Sequence, residues 1–249
     1  MHSFFIKGVS GAVGASIDLT PVQQQLTRVL RAQPGDRIRV LDGAGHAFVV
    51  QITAADRRSV SGQIAEVAAA PAEPGVEVTL YQCALKADKL EWVMQKATEL
   101  GVMTVTPLIS ERTVVRPASA LERRRPRWES IVREAAEQCG RGRLPTLNPA
   151  VDYAAMLQDA PGLRLLAWEE AVGRPSLIHA LSRAELPVRA VSLLIGPEGG
   201  LTAEEVGQAE AAGWQTVSLG PRILRAETAA VAALAITLAA LGEMGDRSA

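Results

Sequence analysis

Leu193-Leu194-Ile195-Gly196-Pro197-Glu198-Gly199-Gly200-Leu201-Thr202-Ala203-Glu204-Glu205 sets the reading of the whole chain. The apolar run Val191 to Ile195 is short and has the composition of a buried strand. Gly196-Pro197 stops it, and the glycines at 196, 199 and 200 let main chain approach a ligand without a β-carbon in the way. Thr202 and Glu205 have capping-box spacing, so a helix follows at once. Strand, glycine loop and helix in that order make a βα unit, and open α/β sheets bind ligands at the carboxyl ends of their strands. A plain tight turn satisfies the same residues. The loop is neither a G-x-G-x-x-G dinucleotide fingerprint nor a G-x-x-x-x-G-K-[ST] phosphate loop.

A second loop of the same kind lies downstream, Ser218-Leu219-Gly220-Pro221-Arg222-Ile223-Leu224-Arg225-Ala226-Glu227-Thr228, after an expected strand Thr216–Leu219. It feeds an alanine-rich apolar helix from about Glu227 to Leu241, with two arginines and a glutamate packed into the turn. Upstream, Val76, Val78 and Leu80 alternate as a strand. Asp88 with Glu91 is expected to cap a helix whose stripe is Leu90, Val93, Met94 and Ala97, ending at Gly101. Strands are expected over Val102–Ile109 and Leu163–Trp168, and Trp128, Ile131, Val132, Ala135 and Cys139 form another helical stripe. This alternation predicts an α/β domain with a largely parallel sheet over 76–249.

The first 70 residues read differently. Arg37–Leu41 and His46–Ile52 flank Asp42-Gly43-Ala44-Gly45 as a hairpin, and Ser59–Val67 is a further strand. Thr20-Pro21 opens one amphipathic helix through Val22, Leu26, Val29 and Leu30, with Thr20 as its cap. A small β-barrel with a single helix is expected, joined to the second domain by Ala68-Ala69-Ala70-Pro71-Ala72-Glu73-Pro74-Gly75.

The chain has 249 residues and a net charge of −1, which excludes a polybasic nucleic-acid coat. The charge is uneven: +2 over 1–70, −2 over 71–107, +4 over 108–145 and −5 over 146–249. Cys83 and Cys139 cannot form a disulfide framework, and no Cys/His cluster has zinc-ligand spacing, so a reducing compartment and no metal are expected. Met1 to Lys7 lacks the apolar core of a signal peptide, and Ala229–Leu241 is too short to span a bilayer. A cytoplasmic protein without membrane contact follows.

The two loops together, with Lys86–Gly101, Pro107-Leu108-Ile109-Ser110-Glu111-Arg112 and Glu134-Ala135-Ala136-Glu137-Gln138, resemble the RsmE family. Its members are bacterial ribosomal-RNA uracil-N3 methyltransferases of the SPOUT, or trefoil-knot, class. Arg28-Val29-Leu30-Arg31 followed by Gly35-Asp36 is similar to the family's PUA-like RNA-binding domain. Gln24-Gln25 stands where many members carry a histidine. The resemblance implies S-adenosylmethionine as cofactor, a homodimer, and 16S rRNA of the small ribosomal subunit as partner. It places Gly199 and Thr228 with the cofactor-binding loops. A 2′-O-ribose methyltransferase of the same knotted class and a non-catalytic assembly factor are the alternatives.

The residues themselves suggest roles. Leu194, Ile195, Leu219, Ile223 and Leu224 are candidate walls of an adenine slot, with Gly196, Gly200 and Gly220 letting main chain come close. Losing the uracil N3 proton places negative charge on the flanking carbonyls, which Arg225 or Arg222 is suited to stabilise. Glu198 or Glu227 is the candidate base, or else orients amides or an arginine. Arg28 and Arg31, with Arg112, Arg116 and the Arg123-Arg124-Arg125/Arg127 run, are candidate phosphate contacts. A solvated helix entry is the alternative for that run. The alanines at 229, 232, 233 and 239 suit close helix packing, between protomers or within one. His2, His46 and His179 are read as structural.

Overall fold

The computed structural model describes residues 1–56, 58–70 and 73–245. It divides into two compact units, 1–73 with 133–144 and 74–132 with 145–249. The sequence boundary of 1–70 against 76–249 therefore needs one amendment, because residues 133–144 join the first unit. Pro71 and Ala72 of the expected linker, and residues 246–249, lie outside the described residues.

The first unit is a five-stranded sheet. Its strands are β1 (Ser3–Phe5), β2 (Ser16–Asp18), β3 (Arg37–Leu41), β4 (His46–Ala55) and β5 (Val60–Ala69). Their order is β1-β3-β4-β5-β2. The β3–β4 hairpin forms as expected, and Asp42 shapes its turn by accepting the Ala44 and His46 amides at 2.7 and 3.0 Å. The ring of His46 also sits 2.7 Å from Asp42, a structural role. One face carries a core of residues such as Leu19, Leu26, Val40, Val50 and Ile64. The expected single helix at 20–30 is instead two short pieces, a 3-10 turn Thr20–Val22 and a π-type turn Gln25–Val29. Leu19, not Thr20, holds the cap position, and the Thr20 amide is taken by Asp18 at 2.9 Å. The break still buries Val22 and Leu26, while Val29 turns out to solvent. Segment 133–144 is bound within this unit by Phe5 N–H to Glu137 (2.9 Å) and by Glu73, which takes Arg141 Nη2 (2.6 Å) and the Gly142 amide (3.0 Å).

The second unit is the expected α/β domain. Its strands are β6 (Glu77–Cys83), β7 (Thr104–Ile109), β8 (Thr146–Leu147), β9 (Val151–Asp152), β10 (Leu163–Ala167), β11 (Ala190–Ile195) and β12 (Gln215–Val217). The order is β12-β10-β11-β6-β7-β8, with β9 also on β7, and every pairing is parallel. The helices are α1 (Lys89–Leu100), α2 (Ala118–Glu122), α3 (Arg125–Cys139, of which residues from 133 on belong to the first unit), α4 (Tyr153–Asp159), α5 (Leu177–Ser182), α6 (Ala203–Ala211) and α7 (Ala226–Ala240). Strand alternation splits the core. Leu80, Leu165, Leu193 and Ile195 pack with α1, α5 and α7, whereas Tyr81, Leu166 and Leu194 pack with α4 and α6. Gly101, at φ +107°, ends α1 as expected. Asp88 makes no side-chain cap: at φ −92° and ψ 3° its backbone is outside the extended region that aims a cap side chain at the helix, and the Glu91 side chain is taken up in ion pairs with Arg124 and Arg127. The residues after β12 run parallel to the connection from β10 to α5, bridged at Ser176 and Ser218 and joined by Ser218 N–H to Pro175 O and Leu177 N–H to Ser218 O, both 2.9 Å. The chain then enters α7. Among the described residues no helix is long and apolar enough to cross a membrane.

Candidate functional site

Three parallel strands, β10, β11 and β12, and the amino ends of α1 and α7 converge on one cavity of about 370 Å³. That is within the size range of small-molecule and cofactor sites. Its walls combine apolar groups (Ile195, Leu219, Leu224, Ala229) with main chain at Gly196, Gly200 and Gly220. The convergence follows from parallel topology, which brings every strand's carboxyl end to the same edge.

The glycine loop after β11 is held from several sides. Gln82, fully buried at the end of β6, donates from Nε2 to the Gly196 carbonyl at 3.3 Å. Glu198 Oε1 accepts the Lys86 amide at 3.0 Å, and Arg112 Nη1 donates to the Gly199 carbonyl at 3.1 Å. Behind the loop, Thr202 and Glu205 form the expected capping box, and Glu205 also takes the Glu111 amide at 2.7 Å. Gly200 has φ +70°, and a β-carbon there would overlap the carboxylate of Glu169. The loop thus presents preorganised backbone to the cavity.

Charge gathers at one end. Lys89 Nζ lies 3.5 Å from Glu198 Oε1 and 3.5 Å from Glu227 Oε1. Glu227 Oε2 and Trp168 Nε1 are buried with no hydrogen-bond partner among the described residues. Unsatisfied buried polar atoms cost about 1–3 kcal/mol each and so mark places where a ligand donor or acceptor belongs. Arg222 and Arg225 line the cavity and are exposed, and their guanidinium groups make no hydrogen bond among the described residues. Glu169 is exposed at the rim.

Of the expected site residues, the structure brings together Ile195, Gly196, Glu198, Gly200, Leu219, Gly220, Arg222, Ile223, Leu224, Arg225 and Glu227. Leu194 is corrected: one residue from Ile195 along β11, it faces the opposite side of the sheet and packs against the α6 side. Gly199 faces Arg112 rather than the cavity, and neither it nor Thr228 is a wall residue. Ile223 is 82 % exposed, so it covers a rim more than it walls a slot. Arg116 wraps the Ser110–Thr113 turn, donating to the Ser110 and Thr113 carbonyls at 2.6 and 2.9 Å. Arg124 spends its guanidinium on Ala87 O (3.0 Å) and Glu91 (2.5 Å). Both are internal braces. Arg28 and Arg31 are exposed on the first unit. Lys89, Trp168, Glu169 and Gln82 were not expected. All four lie at or just beyond the carboxyl ends of strands β6 and β10, a positional signal the sequence does carry.

Residues 72–238 match the family described as RNA methyltransferase domain, and 26–65 match the RNA methyltransferase PUA domain. The chain is 37 % identical, over 90 % of its length and 73 % of the relative's, to ribosomal RNA small subunit methyltransferase E of a Synechocystis species. It is 34 % identical to the Bacillus subtilis protein of the same name, covering 84 % of each. The crystal structure of ribosomal RNA small subunit methyltransferase E from Neisseria gonorrhoeae bound to S-adenosyl methionine superposes with a TM-score of 0.85 at 33 % identity, over 96 % of this chain and 97 % of that one.

Proposed function

The chain belongs to the ribosomal RNA small subunit methyltransferase E family, and from that premise we propose that it methylates uracil N3 in 16S rRNA, using S-adenosylmethionine. The single observation that carries the reading on this chain is the cavity itself. Glycine-loop backbone, apolar walls and unpaired buried polar atoms meet there at the carboxyl ends of three parallel strands. The residues present suit the cofactor. Ile195, Leu219 and Leu224 give an apolar slot for an adenine ring, and main chain at Gly196, Gly200 and Gly220 gives donors and acceptors without β-carbons. Glu169 and the Trp168 indole suit the polar ends of such a ligand. When bound, the sulfonium supplies an activated methyl group.

The protein's own contribution is placement, proton removal and charge stabilisation. Glu198 and Glu227 are the carboxylates positioned to accept a proton, and Arg222 and Arg225 are cations free to meet developing negative charge. Arg28 and Arg31, exposed on the PUA-like unit, supply phosphate contacts. The protein works as a homodimer in the cytoplasm, where small subunits are assembled. The stripe Ala230, Ala233, Leu234 and Leu238 of α7 is buried within the chain, so a second copy would meet the helix near the exposed Ala239.

The test is methyl transfer from labelled S-adenosylmethionine into small subunits that lack the modification, followed by digestion to nucleosides. Label in 3-methyluridine is expected. Label in 2′-O-methylated nucleosides, or no label, overturns the reading.

A further inference from the structure

Lys89 stands at the first position of α1, with its ammonium 3.5 Å from one oxygen of Glu198 and 3.5 Å from one oxygen of Glu227. The two carboxylates come from different loops, and beyond these two ion pairs the ammonium has no side-chain partner among the described residues. Glu198 is fixed at a second point, since the same Oε1 accepts the Lys86 amide. Its other oxygen makes no hydrogen bond among the described residues, and the side chain is a quarter exposed in the cavity. Glu227 is more enclosed, and its second oxygen is sealed from solvent. The cavity therefore offers a fixed open acceptor, Glu198 Oε2, beside a fixed donor, the Lys89 ammonium. Glu227 holds that donor from behind.

We infer that Lys89 and Glu198 together read the imide edge of the target uracil, Lys89 donating to the O4 carbonyl beside N3 and Glu198 accepting N3–H. This rests on the proposed uracil-N3 chemistry and names the residues that carry it. Uracil shows an acceptor next to a donor on that edge, the complement of ammonium beside carboxylate. Cytosine shows a donor and then an unprotonated N3, which sets donor against donor and acceptor against acceptor. In a dry site such mispairing leaves buried groups unsatisfied, and sites built on hydrogen bonds reject poor matches strongly for that reason. The pairing also serves the reaction. The N3–H proton passes to the Glu198 carboxylate and then to solvent. The electron pair left on N3 takes the methyl carbon, and the carbon–sulfur bonding pair stays on sulfur in the neutral thioether product. Negative charge spreading onto the flanking carbonyl meets the Lys89 ammonium, so the contact strengthens as the reaction proceeds.

The experiment compares Lys89→Met, Lys89→Arg, Glu198→Gln and Glu227→Gln with the natural protein. It measures 3-methyluridine formation in small subunits and S-adenosylmethionine affinity by calorimetry. Lys89→Met should lower kcat about 100-fold, the loss typical of deleting one preorganised charge-stabilising donor. Cofactor affinity should stay at the natural value, Lys89→Arg should recover part of the rate, and Glu198→Gln should lose more rate than Glu227→Gln. Full activity of Lys89→Met overturns the inference. So does parallel loss of rate, cofactor affinity and melting temperature in both lysine variants, which marks a mere brace, or a larger loss in Glu227→Gln. Absence of 3-methyluridine with the natural protein instead removes the underlying reading, and this inference with it.

Discussion

Gly200 shows how much one backbone position constrains. Its φ of +70° is costly for any residue with a side chain, and a β-carbon would also displace the exposed Glu169 carboxylate from the cavity rim. Gly200→Ala should therefore raise the S-adenosylmethionine Kd at least about tenfold, equivalent to about 1.4 kcal/mol, as read by calorimetry. An unchanged Kd would show that the loop is not a ligand wall. The sequence exposes this position through its clustered glycines. It hides the partner, because Glu169 is contributed by another strand end and only the parallel sheet brings them together. The mistaken placement of Leu194 has a similar origin. The run Val191 to Ile195 carries leucine on both faces, so composition alone does not say which residues face the cavity; the period of two does. Lys89 was legible only as the start of a helix, and its bridging role depends on two loops far away in the chain.

At the scale of elements, local rules succeeded where nothing distant competed. Thr202 and Glu205 make the full capping box their spacing predicts, and Thr202→Ala should destabilise the protein by about 1 kcal/mol, seen as a fall of about 2–4 °C in Tm, with Thr202→Ser restoring it. Asp88 and Glu91 have the same spacing and fail, since the Asp88 backbone lies outside the extended region a cap needs and Arg124 and Arg127 hold the Glu91 carboxylate where it is only 4 % exposed. Burial acts to raise the Glu91 carboxyl, but hydrogen bonds and charge from Arg127 and Arg124 outweigh it and hold the group below its usual 4.5. A carboxyl depressed in the folded state contributes stability that is present above its unfolded value and is lost as pH falls through its folded value. Stability should thus decline below about pH 4.5, and Glu91→Gln should flatten that decline in denaturant titrations at successive pH values. An equally steep decline in the variant would assign it elsewhere. The helix expected at 20–30 is instead a 3-10 turn followed by a π-type turn, a change of hydrogen-bond register that side-chain periodicity does not encode. Strands β8 and β9, two residues each, are too short to leave any pattern.

The whole molecule pairs an exposed basic surface on its first unit with a catalytic α/β unit, and the regional charges of +2 and +4 against −5 were readable directly. Which arginines remain available was not. Arg116 and Arg124 brace neighbouring backbone and Glu91, whereas Arg28 and Arg31 on the first unit, like Arg112 and Arg123 on the second, stay exposed and carry the expectation for RNA. Replacing Arg28 and Arg31 by alanine should weaken small-subunit RNA binding and reduce the slope of log K against log salt by roughly one to two, with cofactor affinity unchanged; an unaltered slope would take the first unit out of the binding surface. The division of 133–144 into the first unit was equally invisible, because it depends on Glu73 and Phe5 engaging residues far along the chain. The central claim, methylation of uracil N3 in small-subunit rRNA, is tested most directly by mass-spectrometric mapping of 16S rRNA from a strain lacking the gene, with and without the restored gene. The account predicts that one 3-methyluridine disappears on deletion and returns on complementation. It is contradicted if the base methylation pattern is the same in both strains, or if the only change is a methyl group on a ribose.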